Sequence, residues 1–177
     1  MLHFRKAGIG DIEIIRELTY KIWPQTYAHI LTDTQIAYML DMMYSAPSLE
    51  KQMNTQKHRF IVGYDDAEPV AFASYSSTKN KEVYRLHKIY VLQNQQGKGI
   101  GKKMIDYIVE DINTVEPFRL ELNVNRYNKA MEFYVKLGFL VMRQEDIDIG
   151  NGFFMNDFVM QKVIGRKSVT YQDDQQK

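Results

Sequence analysis

Three glycines within five positions, Gly97, Gly99 and Gly101, form the segment of this sequence whose spacing most directly suggests chemistry. They lie at the predicted start of a helix, where each glycine costs about 0.8–1 kcal/mol relative to alanine. A compensating gain is backbone access, because without Cβ atoms the free N–H groups at a helix N-terminus can approach a phosphate closely. The alternative is a strand-to-helix turn in which the glycines only permit close packing. The clustering favours the first interpretation, a phosphate-binding loop.

Two well-known phosphate-binding motifs do not fit this segment. A P-loop, G-x-x-x-x-G-K-[ST], requires glycine where Gln96 stands and a hydroxyl where Lys103 stands. A dinucleotide fingerprint, G-x-G-x-x-G, requires its third glycine at the position of Lys102. Neither ATP nor NAD is therefore indicated as the ligand.

The composition limits the chemistry that the rest of the chain can offer. A length of 177 residues, 45% of them hydrophobic and 25% charged, suits one globular domain. The net charge of +1 does not imply nucleic acid or an anionic membrane as a partner. The absence of cysteine excludes disulfides, thiolate nucleophiles and zinc–thiolate sites. No metal is expected, because the four histidines do not have ligand spacing: His3, His29, His58 and His87.

No segment of the sequence reads as a targeting or membrane-spanning element. The N-terminus has no apolar signal core, and no apolar run approaches about 18 residues. The cytoplasm is therefore the expected location. No serine–histidine–acid set suggests itself in the sequence either.

Hydrophobic periodicity predicts two helices in the first third of the chain, after a short strand near Leu2–Lys6. The first helix begins at Asp11 and ends at Pro24, because proline disfavours helical geometry in the residue before it. The second helix opens with a capping box between Thr32 and Gln35 and runs to about residue 44.

The period then changes from 3.6 to 2 residues, which predicts strands. The expected order is β-α-α-β-β-β-α-β-α-β-β, an α/β mixed sheet with helices on both faces. The later elements are three strands, a helix, a strand, a helix and two strands: Arg59–Tyr64, Val70–Ser77, Val83–Val91, Gly99–Ile112, Phe118–Val124, Asn128–Leu137, Phe139–Ile147 and Phe153–Val163. This domain is expected to span residues 1–165, with a loose polar tail over 166–177.

Two segments together resemble the GCN5-related N-acetyltransferase (GNAT) family. The segment Gln96–Gly101 (QGKGIG) resembles the family's pyrophosphate-binding motif, Q/R-x-x-G-x-G/A. Residues 122–139 (LNVNRYNKAMEFYVKLGF) resemble its second signature, with an asparagine, an alanine, a tyrosine and a Gly-Phe pair in order. The resemblance covers about Val83–Phe139 and departs from many members at Gln93, where those carry proline.

The resemblance implies acetyl-CoA as the cofactor and a binding site made largely of backbone. N–H groups from Gln96 through Gly101 would hold the pyrophosphate, aided by the positive end of the helix dipole. The main chain around Val91, in a splayed strand, would pair with the pantetheine arm as an added strand does. The expected cofactor-binding residues are Ile89, Tyr90, Val91, Gln96, Gly97, Lys98, Gly99, Ile100, Gly101, Lys102, Asn123, Asn128 and Tyr134.

Some of these residues have a second interpretation that needs no cofactor. Lys98, Lys102 and Lys103 would either contact the 3′-phosphate of the coenzyme or keep the helix surface solvated. Asn128 suits an N-cap at the start of its helix, which is compatible with a contact to the pantetheine arm.

Three residues are candidates for the chemistry. The resemblance places Tyr134 beside the coenzyme sulfur, where it would stabilise the departing thiolate by a hydrogen bond and complete proton donation; the alternative is plain core. An alkylammonium with a pKa near 10.4 must also lose a proton before the amine can attack. His87, on the predicted strand face of Ile89 and Val91, and Glu121 are the side-chain candidates for this base, with ordered water as the alternative.

The segment around the junction of the first two helices is rich in aromatic and methionine side chains, and the family usually recognises its acceptor there. Trp23, Tyr27 and Tyr38 would contact a cationic amine by cation–π interaction, or else pack the helices onto the sheet. Asp33 and Asp41 are the acids of this segment.

The expected function is an N-acetyltransferase that moves an acetyl group from acetyl-CoA to a primary amine by direct attack. The acceptor is expected to be a small molecule such as a polyamine, because no strongly acidic groove for basic peptides is visible. The alternatives are a non-catalytic acyl-CoA-binding sensor and an enzyme that acetylates protein N-termini or lysine side chains. A monomer or a homodimer fits the sequence equally well.

Overall fold

The computed structural model describes residues 1–114 and 117–165, so the predicted tail lies outside the described residues. The described chain forms one seven-stranded sheet and five α-helices. Their bounds are β1 Leu2–Ala7, α1 Ile12–Tyr27, α2 Asp33–Tyr44, α3 Ala46–Asn54, β2 Arg59–Asp65, β3 Glu68–Ser77, β4 Val83–Val91, α4 Ile100–Ile112, β5 Phe118–Asn125, α5 Ala130–Lys136, β6 Leu140–Gly150 and β7 Phe153–Ile164. Among the described helices, none is both long enough and apolar enough to cross a bilayer.

The sheet has the strand order β1-β2-β3-β4-β5-β7-β6. Only β4 and β5 run parallel, because α4 carries the chain back across the sheet between them. Helices α4 and α5 bury their apolar side chains on one face of the sheet, and α1, α2 and α3 bury theirs on the other. The prediction of a mixed α/β sheet covered on both faces is confirmed.

Helix α1 continues through Pro24, so the prediction that it ends there is wrong. The carbonyl of Pro24 accepts the Ala28 N–H at 3.1 Å, which keeps the last turn closed. A proline inside a helix costs about 3 kcal/mol. Trp23 is 2% exposed and packs on Tyr27 and Tyr44 with ring centroids 4.5 and 5.4 Å apart. We attribute the continuation to the burial of these rings, which offsets the cost of the proline.

Helix α3 is an element that the periodicity analysis missed. It has only nine residues, with Pro47 in its first turn, a position that proline tolerates well. It buries Leu49 completely and Gln52 almost completely. Two buried positions in so short a segment are too few to produce a helical period, and the helix depends on its contacts with α1 and α2.

The hairpin of β6 and β7 is held against α2 by two side chains. The hydroxyl of Tyr38 donates to the Ile149 carbonyl at 2.7 Å, and Gln35 Nε2 donates to the Phe154 carbonyl at 2.8 Å. Thr32 caps α2 as predicted, accepting the Gln35 N–H at 3.2 Å, but the Gln35 side chain serves the hairpin instead of closing the capping box. These two bonds fix the end of β6 and the start of β7 on α2.

We expect Tyr38→Phe to lower the free energy of unfolding by about 1 kcal/mol, because it removes the hydrogen bond to Ile149 and leaves the ring in place. Urea denaturation measures the change. The control is Tyr127→Phe, whose residue is 73% exposed, and its effect should stay within about 0.5 kcal/mol. Equal stability of Tyr38→Phe and the wild type would contradict this role.

Candidate active site

The two parallel strands separate along their length, and this separation creates the site. Cα partners join Val83–Leu86 of β4 to Arg119–Leu122 of β5, and the pairing stops there although both strands continue. Beyond Leu86, β4 stays paired with β3 only. A cleft of about 970 Å³ opens between the diverging strands. The predicted splayed strand is therefore present, with backbone groups of β4 turned towards the cleft.

Most of the residues predicted for the site line this one cleft. They are Trp23, Tyr27, His87, Ile89, Tyr90, Val91, Gln96, Gly97, Gly99, Ile100, Gly101, Asn123, Asn128 and Tyr134. Four predicted residues within the described ranges stand outside its lining: Tyr38, Lys98, Lys102 and Glu121.

Two of the three clustered glycines supply access to backbone. Gly97 and Gly99 have φ angles of +79° and +76°, and a Cβ on either would meet no atom within 4 Å. The first intrahelical bond of α4 runs from the Lys103 N–H to the Gly99 carbonyl at 3.1 Å. The N–H groups of residues 100–102 consequently have no acceptor inside the helix. This arrangement fits the phosphates of a coenzyme at the positive end of α4.

Gly101 and Gln96 have structural roles that differ from those of Gly97 and Gly99. A Cβ on Gly101 would lie 3.0 Å from Cζ of Phe133, so this glycine permits α4 and α5 to pack closely. The Gln96 N–H donates to the Gln93 carbonyl at 3.2 Å, and its Nε2 donates to the Val91 carbonyl at 3.2 Å. Gln96 thus ties the loop to the end of β4. The interpretation as backbone access therefore applies to Gly97 and Gly99, and the interpretation as close packing applies to Gly101.

The two lysines beside the loop lie on the protein surface. Lys98 Nζ donates to Gln95 Oε1 at 2.8 Å, and Lys102 forms an exposed ion pair with Asp106 at 2.7 Å. These contacts agree with the alternative of a solvated helix surface. Their contact with a 3′-phosphate stays a prediction.

Asn128 lies two residues before α5. Its Oδ1 accepts the Ala130 N–H at 2.9 Å, so it satisfies one of the free donors at the start of the helix, although Lys129 occupies the N-cap position. Asn128 therefore orders the entry to α5 from a position that also lines the cleft.

Tyr134 combines a core ring with a hydroxyl at the cleft. Its ring packs edge-on against Phe133 and Phe139, with centroids 5.2 and 5.7 Å away. Within the described chain its hydroxyl has no hydrogen-bond partner, and the residue lines the cleft. Burial, followed by the proximity of Tyr27, raises the pKa of Tyr134. The phenol therefore stays protonated at neutral pH and is available as a hydrogen-bond donor.

His87 does not follow the strand alternation that was predicted for it. Leu86 pairs with Tyr75 and Lys88 pairs with Ser74, which leaves His87 as the extra residue of a β-bulge. Side chains alternate between the two faces only where strand residues are regularly paired. The prediction that His87 shares the face of Ile89 and Val91 is therefore wrong, because the bulge interrupts the alternation there.

The contacts of His87 favour a structural role. Its Nε2 lies 2.8 Å from Ser76 Oγ, and its ring stacks on His58 with centroids 3.7 Å apart. This serine–histidine pair was not foreseen from the sequence, and in the described ranges no carboxylate bonds to it to complete a triad. Partial burial, then the neighbouring His58 and Lys88, lower the pKa of His87. A lowered pKa makes the imidazole a weak base.

Glu121 belongs to an ion-pair cluster on the sheet. It contacts Arg85 at 2.7 Å and Arg143 at 3.7 Å, and it accepts a hydrogen bond from Gln161 Nε2. Its carboxylate is engaged by two guanidinium groups and by Gln161, and it does not line the cleft. Its geometry therefore suits the joining of β4, β5 and β6 better than proton transfer.

Asp157, on β7, is an acid of the cleft that the sequence analysis missed. It is 6% exposed, lines the cleft and accepts a hydrogen bond from Asn123 Nδ2 at 3.3 Å. Burial raises the pKa of its carboxyl group. The available signal was an acid in an otherwise mostly apolar strand, FFMNDFVMQKVI. Asp157 reaches the cleft because β7 pairs with β5, and the order of elements along the sequence does not reveal that pairing.

An aromatic wall closes the cleft on the side of α1 and α2. The hydroxyls of Tyr27 and Tyr90 lie 3.1 Å apart, and Trp23 packs against both rings. Burial raises the pKa of both tyrosines, so this wall is uncharged. The placement of Trp23 and Tyr27 at the site agrees with their prediction. Tyr38 is the exception, because its hydroxyl is used to hold the β6–β7 hairpin.

Lys88 is a second buried charge that was not foreseen. Its Nζ donates to Gln52 Oε1 at 2.7 Å and lies 5.3 Å above the ring of Tyr44. Burial lowers its pKa to about 8. Over residues 1–114 and 117–165, no three histidine, aspartate or glutamate side chains are grouped so as to hold a metal ion.

Comparisons with known proteins agree with this geometry. The model of the acetyltransferase (GNAT) domain matches residues 28–161. A spermidine N(1)-acetyltransferase of Thermoplasma acidophilum is 26% identical over 166 residues, which cover 91% of this chain and 96% of that protein.

Solved structures of N-acetyltransferases have a similar fold. The PaiA N-acetyltransferase of Thermoplasma acidophilum in complex with coenzyme A has a TM-score of 0.74 and 25% identity, covering 93% of this chain and 99% of that one. A GCN5-related N-acetyltransferase of Rhodopseudomonas palustris has the same TM-score at 17% identity, covering 92% and 95%. The latter likeness supports the fold alone.

We expect Gly99→Val to weaken the binding of coenzyme A by about 10-fold or more, or about 1.4 kcal/mol. The side chain would enter the space in front of the free N–H groups of α4. Calorimetric titration measures the affinity. Gly152→Val is the matched control, because Gly152 has the same φ of +76° and equally open surroundings but lies in the β6–β7 turn. Unaltered affinity in Gly99→Val would refute the loop assignment.

Proposed function

Since this chain belongs to the acetyltransferase (GNAT) family and is an acetyl-CoA-dependent N-acetyltransferase, we propose that it acetylates the primary amine of a small molecule such as a polyamine. The observation that supports this proposal most directly is the shape of the cleft, which leads from the loop at α4 to the aromatic wall of Trp23, Tyr27 and Tyr90. The relative named for spermidine acetylation supports an amine of this class.

The far end of the cleft suits a narrow aliphatic chain. Its lining includes the methionines Met39, Met43 and Met155 besides the aromatic rings. The hydrogen bond between Gln35 and the Phe154 carbonyl fixes the start of β7 over this end. Apolar walls and aromatic faces accommodate methylene groups and attract an ammonium. An extended peptide would instead need an open groove with unpaired backbone groups along it.

The chain's own groups account for cofactor binding. When bound, acetyl-CoA supplies an acetyl group activated as a thioester. The N–H groups of residues 100–102 hold the pyrophosphate at the start of α4. The part of β4 beyond Leu86, unpaired on the β5 side, binds the pantetheine arm through its main chain. No charged side chain is required for either contact.

Tyr134 acts on the leaving sulfur. A phenol with a raised pKa gives up its proton reluctantly, so its main contribution is a hydrogen bond to the sulfur as negative charge develops there. The low exposure of Tyr134 strengthens that bond, because water does not compete for it. Proton donation then completes the release of the thiol.

The experiment that tests the proposal is calorimetric titration with acetyl-CoA, followed by a thiol-release assay over small monoamines, polyamines and peptides. We expect acetyl-CoA to bind and at least one class of small amine to be turned over. Turnover of peptides alone would overturn the proposed acceptor. Tight binding without turnover of any amine would instead indicate an acyl-CoA-binding sensor.

We expect Tyr134→Phe to lower kcat by about 10-fold or more, because the sulfur loses its hydrogen-bond donor. Its affinity for acetyl-CoA should stay nearly unchanged. Thiol release at saturating amine and calorimetry separate the two quantities. Tyr20→Phe is the control, since Tyr20 is exposed on α1 and outside the cleft. An unchanged kcat in Tyr134→Phe would remove this role.

A further inference from the structure

Asp157 is a buried carboxylate without a cationic partner. It is 6% exposed, and among the described residues no lysine, arginine or histidine nitrogen forms an ion pair with it. Its side chain accepts a hydrogen bond from Asn123 Nδ2 at 3.3 Å. Buried carboxylates are rarely left unpaired in proteins. The group also lines the cleft, so the missing cation can come from a ligand.

The groups around Asp157 leave its negative charge uncompensated. Glu145 pairs with it from β6 and adds charge of the same sign, while Tyr27 of α1 lines the same cleft as a neutral phenol. Arg126, after β5, is the nearby cation, but it is engaged by Asp146 and by Gln144 at 3.0 Å. Lys88 and Lys129 also line the cleft, but neither forms an ion pair with Asp157, so within the described chain the carboxylate is free to attract a cationic ligand.

Asp157 and the proposed thiolate-stabilising residue, Tyr134, belong to one cleft. Asn123, the residue that donates a hydrogen bond to Asp157, lines the same cleft. Asn123 fixes the carboxylate from the β5 side, because its Oδ1 is held by Arg85 while its Nδ2 points to Asp157.

Asp157 is also the sole acid in the lining of the cleft as far as the chain is described. His87 and Glu121 engage other side chains, and Glu121 is not part of the cleft lining. Of the titratable groups considered for the acceptor's proton, Asp157 alone combines burial, a free charge and access to the cleft.

We propose that Asp157 binds the ammonium of the acceptor and takes its proton, so that the amine attacks in its neutral form. The assignment rests on the proposed function, an amine as acceptor. Burial raises the pKa of this carboxyl towards that of the ammonium, which reduces the cost of the transfer.

The proposed transfer conserves protons and electrons. The ammonium gives one proton to Asp157, and the amine nitrogen then forms its bond to the acetyl carbon with its lone pair. The carbon–sulfur bond breaks and the sulfur keeps the bonding pair. A second nitrogen proton reaches the sulfur through the hydroxyl of Tyr134, and Asp157 returns its proton to solvent. One acetyl group is transferred and one proton is released per turnover.

The test compares Asp157→Asn with the wild type in thiol release against pH, using the best small amine. We expect kcat/KM at pH 7 to fall by about 100-fold or more. The deficit should shrink as the pH approaches about 10.4, because the amine then loses its proton without a base. In the wild type, kcat/KM at low pH should fall as Asp157 becomes protonated, and the variant should lack this step.

A binding measurement gives a readout that does not depend on turnover. Titration of the amine into the protein saturated with coenzyme A should show an affinity at least about 10-fold weaker in Asp157→Asn, with coenzyme A affinity unchanged. Asp148→Asn is the matched control, since it removes the same charge from an exposed position on β6 that does not line the cleft. Its kinetics and binding should equal those of the wild type.

Three outcomes would overturn the assignment. They are an unchanged kcat/KM in Asp157→Asn, a deficit that stays constant with pH, and an unchanged affinity for the amine. If Asp157→Asn fails to bind coenzyme A, Asp157→Glu is measured instead. This variant keeps a carboxylate, so it should keep the wild-type dependence of kcat/KM on pH, and a loss of that dependence would overturn the assignment. If the wild type turns over peptides alone, the proposed acceptor fails, and the same comparison on that peptide judges Asp157 separately.

Discussion

The structure depends on one interruption of hydrogen bonding, the end of parallel pairing between β4 and β5 after Leu86 and Leu122. Backbone N–H and C=O groups that lose a strand partner need another partner, and an extended ligand arm can supply it. Because β4 keeps its pairing with β3, the interruption opens the sheet without releasing the strand. Every group of the site is placed relative to this opening.

The junction after β4 shows how a few residues meet several demands at once. Gln96 fastens the loop to the strand end, Gly97 and Gly99 turn the chain with positive φ, and Gly101 lets Phe133 approach α4. Any larger residue at these glycines would block access, strain the turn or separate the helices. The glycines at this helix start therefore provide an unusual backbone conformation at two positions and close packing at the third.

The strands were predictable because their alternation and their turns are local properties. The strand Val83–Val91 agrees at both ends, and the others agree to within a few residues. The errors arose where tertiary packing outweighs local preference, as with Pro24 inside α1 and the short helix α3. The bulge at His87 is a further case, because a bulge is defined by the partner strand.

The site was predictable to the extent that it is contiguous in sequence. The loop at Gln96–Gly101 and the residues Asn128 and Tyr134 belong to local motifs, and the structure brings them to one cleft. Asp157 could not be found in this way, because it meets the cleft only through the pairing of β5 with β7. Glu121 and Tyr38 had suitable chemistry, but their partners, Arg85 and Ile149, lie far away in sequence.

Strand β6 carries a consequence for the behaviour of the molecule in concentrated solution. It is the last strand of the sheet, and most of its residues are exposed. An open strand edge is a template for aggregation. Two register shifts and the charges of Arg143, Glu145, Asp146 and Asp148 make the greater part of β6 a poor template. The apolar segment 140–142 carries no charge, so a charged residue introduced there would improve solubility without touching the cleft.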